Sequence, residues 1–405
     1  MRRLRKELPN QMDSQNPQTP PAGYSLRQLT LYALKLGTIG FGGPVALIGY
    51  MHRDLVEERK WISEADYKDG LALAQLAPGP LAAQLAIYLG YVHYGVVGAS
   101  LVGTAFVLPS FLMVLGIGWA YILYGGLSWM QSVFYAVGAS VIGIIAVSAY
   151  RLTKKTVGKD RLLWTIYLLV MAVTVVTESE IIAVFLAAGV VAWLVKAPPK
   201  WLKKPTISAV SLSPLSFLGS LMTPQADSHL LGQVFWFFAK AGAFVFGSGL
   251  AIVPFLYGGV VKEYQWLNDR QFIDAVAVAM ITPGPVVITV GFIGYLVAGF
   301  WGAVVAAVAT FLPCYFFTIL PAPYFKKYGR RADIGAFVAG VTAAATGAIS
   351  AAVIVLGKRS IIDIPTLLMA LTVAVVLLST RKLTEPVLIA IAAIIGFGIH
   401  FAGGL

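Results

Sequence analysis

KLGTIGFGGPVALIGYMHRDLVEERKWISEADYKDGLALAQLAPGP, residues 35–80, returns without a gap as KAGAFVFGSGLAIVPFLYGGVVKEYQWLNDRQFIDAVAVAMITPGP, residues 240–285. A shift of 205 positions (240 − 35) superposes Lys35 on Lys240, Gly37 on Gly242, Phe41-Gly42 on Phe246-Gly247 and Glu58 on Glu263. The same shift sets Trp61 on Trp266, Asp69 on Asp274 and Pro78-Gly79-Pro80 on Pro283-Gly284-Pro285. Of these 46 positions 14 are identical, and a one-residue slip carries the match onward, with Gly90-Tyr91 on Gly294-Tyr295, Gly98 on Gly302 and Leu108-Pro109 on Leu312-Pro313. Chance does not produce such a run, so the chain is one domain written twice.

Composition says what kind of domain. Hydrophobic residues make up 58% of the chain, charged residues only 12%, and the mean hydropathy is +0.80. A soluble globule carries about a quarter charged residues, so this is a polytopic membrane protein. Apolar blocks fall at 70–92, 96–122, 129–150, 162–177, 181–195, 272–297, 299–320, 334–356, 364–379 and 386–402. Most approach the roughly 20 residues a helix needs to cross a bilayer core, which predicts an all-α protein. Sustained apolar/polar alternation is absent, which argues against a β-barrel. The expected count is roughly 10 to 12 spans, or about five to six membrane segments per copy.

The net charge of +12 comes from basic residues in loops, Lys154-Lys155, Lys203-Lys204, Lys326-Lys327 and Arg330-Arg331 among them. That placement reads as membrane topology and not as nucleic-acid binding. A single cysteine, Cys314, excludes an intrachain disulfide, and the four histidines show no metal-ligand spacing. No metal and no cofactor is expected.

Residues 1–24 are polar and proline-rich, without the apolar core of a cleavable signal, and read as a disordered cytoplasmic tail. The first repeat is expected over 25–196, a Pro-, Ser- and Lys-rich linker over 197–227, and the second repeat over 228–405. Loop 151–161 carries five basic residues, whereas the turns at 123–128 and 177–180 carry none. In the second half the pattern swaps, because the equivalent of the uncharged 123–128 turn holds Lys326, Lys327, Arg330 and Arg331. The swap predicts an inverted repeat in the cytoplasmic membrane. With the tail and linker both inside, inversion further requires that the linker cross or that a segment be re-entrant.

Two helix-breaking motifs recur in each copy. Gly40-Phe41-Gly42-Gly43-Pro44 and Pro78-Gly79-Pro80 have counterparts in Phe246-Gly247-Ser248-Gly249 and Pro283-Gly284-Pro285, the latter preceded by Thr282. Proline removes a donor and clashes with the preceding turn, and glycine admits conformations closed to other residues. Non-helical backbone at membrane depth survives only inside protein or along a water-filled cavity. Each restarting helix points free N–H groups and a positive dipole end at that cavity, a site for an anion. Packing kinks are the bland alternative, but paired interruptions in corresponding segments point to a transporter's binding site.

Ser25-Leu26-Arg27-Gln28 resembles a capping box, so a helix starting there sets Lys35 about 15 Å along its axis, near mid-bilayer. A buried ammonium is a functional candidate by default, and Lys35 with Lys240 is expected to shape an anion's field. Their structural alternative is pairing with carbonyls freed at the breaks. Glu58, Asp69, Glu263 and Asp274 are candidates for charge pairing or proton relay. Ser63 and Asn268 read as N-caps with Asp66 and Gln271 at N3, a structural role. Gln75, one turn before the first Pro-Gly-Pro, could donate to an oxyanion; its counterpart is Met280.

In this ordered set the chain resembles the chromate ion transporter family in its long, two-domain form. The resemblance rests on Gly40-Phe41-Gly42-Gly43-Pro44, Trp61 with the acidic stretch after it, Gln75 to Pro80 and Gly90-Tyr91, and on the weaker second copy ending in Thr282-Pro283-Gly284-Pro285 and Gly294-Tyr295. It implies export of chromate from the cytoplasm, with chromate resistance, and sulfate as a related tetrahedral dianion. Chromate and sulfate present nearly the same four acceptor oxygens, so hydrogen bonding discriminates poorly between them.

A secondary transporter is therefore expected, with the oxyanion near the midplane between broken helices. No Walker motif is present, so coupling would come from an ion gradient or exchange. A sulfate or other oxyanion transporter is the runner-up, an oxyanion channel is a competing reading, and so is an intramembrane enzyme, against which stands the lack of a repeated His, Asp and Ser constellation. A homodimer is compatible with the chain but not demanded by it.

Overall fold

The computed structural model describes residues 23–41, 43–124, 128–178, 182–198, 228–245, 249, 252–328, 331–380 and 383–401. Gly42, Phe246, Gly247 and Ser248, the tail to residue 22 and linker residues 199–227 lie outside the described residues. Among the described residues the protein is all helix with no strand.

Helix α1 (Leu26–Ile39) starts on the expected capping box, with Ser25 and Gln28 each bonded to the other's backbone N–H. It stops at Gly40, whose backbone is extended, and the chain resumes as α2 (Gly43–Met51), which widens into a π-helical turn over His52–Glu58. The Tyr32 hydroxyl donates to Asp54 at 3.1 Å, and Arg59 lies over the Tyr32 ring. These contacts bring the end of the π-helical turn back to α1, so the first break is the tip of a helical hairpin.

A second hairpin follows. Ser63 caps α3 (Glu64–Leu76), which ends before Pro78-Gly79-Pro80. Helix α4 (Leu81–Tyr124) then returns antiparallel to α3, with Gly70 against the Tyr88 ring so closely that a Cβ there would lie 2.3 Å from it. At Gly95, φ +58°, α4 reverses and its limbs 81–94 and 96–124 run back to back. The reversal needs the missing side chains of Gly90 and Gly98, because a Cβ on either would sit within 2.4 Å of the other's carbonyl oxygen.

Both hairpins open on one face. Tyr24 stacks on Trp61 at 5.0 Å and hydrogen-bonds the His93 ring, and Tyr94 donates to the Tyr24 carbonyl at 2.8 Å. The start of α1, the α2–α3 turn and the end of α4's first limb therefore meet. Fourteen residues of α1 rise about 21 Å at 1.5 Å each, so the tips lie well inside the layer.

The second copy repeats each device. Helix α8 (Ser228–Ala243) packs against α9 (Ile252–Tyr257) and the π-helical Gly258–Glu263, and Asn268 with Gln271 forms a complete capping box on α10 (Asp269–Ile281). After the second Pro-Gly-Pro, a short 3-10 turn at Val286–Ile288 leads into α11 (Thr289–Ile319), which reverses at Gly299, φ +62°. Helix α12 (Ala322–Tyr328) continues beyond Pro321.

The remaining helices are α5 (Ser128–Thr156), α6 (Arg161–Thr177), α7 (Ile182–Lys196), α13 (Ala332–Ser360), α14 (Ile364–Ser379) and α15 (Glu385–Phe401). They interlock across the copies: α5 packs on α14 and α15, and α13 on α6 and α7. Gly143 meets the Ala370 carbonyl and its equivalent Gly347 meets the Tyr167 carbonyl, each at a hypothetical Cβ–O distance of 2.4 Å that only glycine allows.

The copies are inverted. The second limb of α4 leaves the Tyr24 face, and its residue Tyr121 donates to Asp274 near the start of α10 at 2.8 Å. Arg270 likewise reaches the Gln131 carbonyl at the start of α5. The hairpins of the second copy thus open on the far face. Helix α5 returns and brings Arg151, Lys154 and Lys155 back to the Tyr24 face, hereafter the basic face.

Each copy has two helical hairpins and four further helical segments: the second limb of α4 with α5, α6 and α7, and the second limb of α11 with α13, α14 and α15. Among the described residues α4, α5, α11 with the turn before it, and α13 are long and apolar enough to cross a membrane. A Gly/Pro break marks where a helix stops and leaves its next direction open. Lys196 pairs with Asp160 at 2.5 Å on the basic face, whereas α8 begins on the far one.

Candidate functional site

The hairpin tips of the two copies meet and exchange main-chain hydrogen bonds. Gly79 N–H donates to the Val245 carbonyl at 2.6 Å, and Gly284 N–H to the Gly40 carbonyl at 3.0 Å. These are the same bond twice, because Gly40 and Val245, like Gly79 and Gly284, are related by 205 positions. Both donors have positive φ, +143° and +95°, and both lack room for a side chain. A Cβ on Gly284 would lie 2.0 Å from Ser110 Oγ, and one on Gly79 would press on the Gln84 amide and on Cys314, which occupies Ser110's place in the second copy. Ser110 Oγ donates to the Pro283 carbonyl at 2.6 Å, and Gln84 Nε2 to the Pro78 carbonyl at 2.8 Å. At both Pro-Gly-Pro breaks these backbone groups are therefore paired within the protein.

A cavity of about 340 Å³ lies against this junction. Gly40, Phe41, Gly43 and Pro44 form one wall, and Met280, Thr282, Gly284 and Val286 another. The third wall is one face of α5, with Ile144, Ser148, Arg151, Leu152 and Lys155, and Glu385-Pro386 closes the rim. A wider space of about 680 Å³ shares Arg151, Lys155 and Glu385 and adds Lys154 and Tyr50, forming a vestibule on the basic face.

Several helices start at the cavity. Gly43 begins α2, Leu81 begins α4, Val286 opens the turn into α11, and Glu385 begins α15. The first N–H groups of a helix have no partner within it, and its start carries about half a positive charge. Together with Arg151 and Lys155, and with Glu385 as the opposing charge at the rim, they leave an excess of positive charge around the space. Arg151 is oriented by a hydrogen bond from Nη2 to the Leu377 carbonyl. The Thr282 hydroxyl donates to the Val278 and Ala279 carbonyls, each at 3.1 Å, leaving its oxygen as an acceptor.

On the far face, among the described residues, Glu178, Tyr257 and Val355 bound a space of only about 10 Å³. Helices α9 and α10 pack on α13 there, whereas their equivalents α2 and α3 stand off α5. Arg359 bridges Asp269 and Glu178, with 2.8 Å to the latter, and Lys262 also pairs with Glu178. The Lys262 contact holds the Glu178 carboxyl below the usual carboxylate range against the opposing effect of burial.

Of the residues singled out in the sequence, Phe41, Gly43, Pro44, Thr282 and Gly284 line the cavity, while Pro78, Gly79, Pro80, Pro283 and Pro285 build the junction behind it. Gly249 is described and buried. Lys35 and Lys240 do not line it: both are exposed, Lys35 on the face of α1 that shows Leu31, Leu34 and Ile39, and Lys240 beside Trp236 on α8. Gln75 is exposed, and its counterpart Met280 takes the lining position instead. Glu58 pairs with Arg53 at 3.5 Å and Glu263 is exposed, whereas Asp69 is half-buried and Asp274 is buried against Tyr121.

The chromate transporter family model matches residues 27–193 and again 232–397, the two copies described above. The chain belongs to the chromate transporter family. It is 70% identical over 389 residues to a chromate transport protein of Cupriavidus metallidurans, covering 94% of this chain and 97% of that one. It is 64% identical over 378 residues to a probable chromate transport protein of Synechococcus elongatus, covering 92% and 95%. A chromate transport protein of Pseudomonas aeruginosa is 32% identical over 363 residues, covering 87% and 86%. No solved structure matches the chain.

For this family member the polar side chains missed by sequence reading are Ser148, Arg151, Lys155 and Glu385. The basic pair was read as topology. A signal was present, because residues 144, 148, 151 and 155 recur at helical spacing and share one face.

Proposed function

We propose that this multi-pass membrane protein is a secondary transporter that binds chromate in the 340 Å³ cavity at the hairpin tips and exports it from the cytoplasm, conferring chromate resistance. The observation that carries the site is the convergence of Arg151, Lys155 and several helix starts on one space between the copies. A tetrahedral dianion leaving water needs several donors at once. A guanidinium offers a planar fork, an ammonium a mobile charge, and the helix starts offer fixed N–H groups. The volume corresponds to on the order of ten waters, enough for an oxyanion with part of its hydration shell.

The basic face is the cytoplasmic one in this reading, by the excess of Lys and Arg there. The vestibule then opens to the compartment from which chromate is removed. Sulfate enters as a competitor, since nothing in the donor set counts more than four oxygens. The sequence carries no Walker motif, so an ion gradient or exchange drives the cycle.

The test is chromate uptake into everted membrane vesicles with and without excess sulfate, across an imposed pH gradient. Saturable accumulation supports a carrier, and its response to the gradient identifies proton coupling. No accumulation under any gradient, with inserted and folded protein, overturns the substrate.

A further inference from the structure

The two faces carry the same charged positions in two different arrangements. Lys155 and Arg359 are equivalent by 204 positions, and Glu64 and Asp269 by 205. On the far face Arg359 contacts Asp269, lies 5.2 Å from the Tyr257 ring centroid and shares Asp269 with the Tyr257 hydroxyl at 2.7 Å. On the basic face the equivalents are apart. Glu64 is held by Lys68 at 3.1 Å and by His52 at 3.0 Å, and Lys155 faces the cavity with no ion-pair partner among the described residues.

We propose that Lys155 and Glu64 form the gate of the basic face, closing in the state open to the far face as Arg359 and Asp269 close here. The proposal rests on the transporter reading above. Neighbouring positions have diverged in character, His52 against Tyr257 and Glu57 against Lys262, yet the basic and acidic signs at this pair persist in both copies. An inverted repeat supplies the second state by letting each copy adopt the other's arrangement, so α2 and α3 close on α5 while α9 and α10 leave α13. The gates are unequal. Arg359 reaches Asp269 and Glu178 together, whereas a lysine offers a single point charge. The far gate is the stronger, and the resting protein is open to the basic face.

The test uses the full-length protein in vesicles of both orientations, with two cysteine pairs, Glu64→Cys with Lys155→Cys and Asp269→Cys with Arg359→Cys. Ser148→Cys in the cavity reports access to a membrane-impermeant maleimide added on the basic face. Cys314 is fully buried and does not compete. Bridging of the 64/155 pair by a bifunctional methanethiosulfonate that spans the length of an ion pair is expected to slow Ser148→Cys labelling about tenfold, with recovery on reduction, as closing some nine-tenths of the population would. The 269/359 pair, whose native side chains already touch, should be bridged by the same reagent and leave labelling unchanged. Failure of the 64/155 pair to cross-link while the 269/359 pair does, or a 64/155 cross-link that leaves labelling unchanged, overturns the gate. Arg359→Gln gives an independent check, since weakening the far gate should lower Ser148→Cys labelling; an increase counts against the proposal. Labelling reads access and not cargo, so intact gating without chromate accumulation would overturn the substrate reading alone.

Discussion

Tyr121 of the first copy donates a 2.8 Å hydrogen bond to the buried carboxylate of Asp274 in the second. Tyr121→Phe leaves that carboxylate without its donor, at a cost of about 1–3 kcal/mol. Thermal unfolding in detergent should show the loss, and Asp274→Asn, which can still accept from Tyr121, should lose less. If Asp274 relays protons, Asp274→Asn also removes the response of transport to a pH gradient. An unaltered response would free this residue from coupling.

Arg151→Gln and Lys155→Gln are each expected to raise the KM for chromate about tenfold, equivalent to ~1.4 kcal/mol of binding. Initial rates over a range of chromate concentrations measure this directly. Lys35→Ala is the contrasting variant, because Lys35 is exposed on α1 and away from the cavity lining. A larger defect from Lys35→Ala than from Lys155→Gln would move the anion site toward the first hairpin's outer face.

Gly284→Ala combines an unfavourable φ of +95° with a Cβ placed 2.0 Å from Ser110 Oγ. The strain is about 1–3 kcal/mol, and the opened tip junction should reduce transport as well as melting temperature. Gly116→Ala, where a Cβ meets open space, is the control.

Asp160 caps α6 and pairs with Lys196, whose hydrogen bond is the first cause holding its carboxyl below the usual range. A depressed folded value means that the pair's contribution is present above the unfolded value and lost as pH falls through the folded one. Asp160→Asn preserves the cap but removes the charge. The melting-temperature gap between wild type and Asp160→Asn should stay constant above about pH 5 and shrink in acid. A gap that widens in acid would mean that the pair does not contribute as described.

Much of this architecture is written in the sequence. The 205-residue shift gives the duplication, the Gly/Pro motifs give the described breaks at Gly40 and at both Pro-Gly-Pro turns but not the reversals at Gly95 and Gly299, and Ser25, Ser63 and Asn268 give three helix starts. The direction of the chain after each break was not legible, because backbone chemistry at Pro78-Gly79-Pro80 forbids a continuous helix without specifying a turn. It is set by distant partners, such as Gly70 against Tyr88. Counting along α1 gave the position of Lys35 along the helix axis but not its azimuth, which follows from Gly37 packing on the Phe106 carbonyl. Arg151 and Lys155 looked like loop charges because a hydropathy window averages over the faces of a helix end.

The crossed packing of α5 on α14 and α15, and of α13 on α6 and α7, bears on how the protein is made. When the ribosome has finished the first copy, α6 and α7 stand in the bilayer without the helix that fills the groove between them, and α5 lacks both its neighbours. Insertion therefore precedes packing by at least the time needed to synthesise α13. During that interval the hairpins of α1 to α4 can already pack on one another, whereas α5, α6 and α7 are threaded without their partners, and the second half arrives as the template on which those three helices assemble.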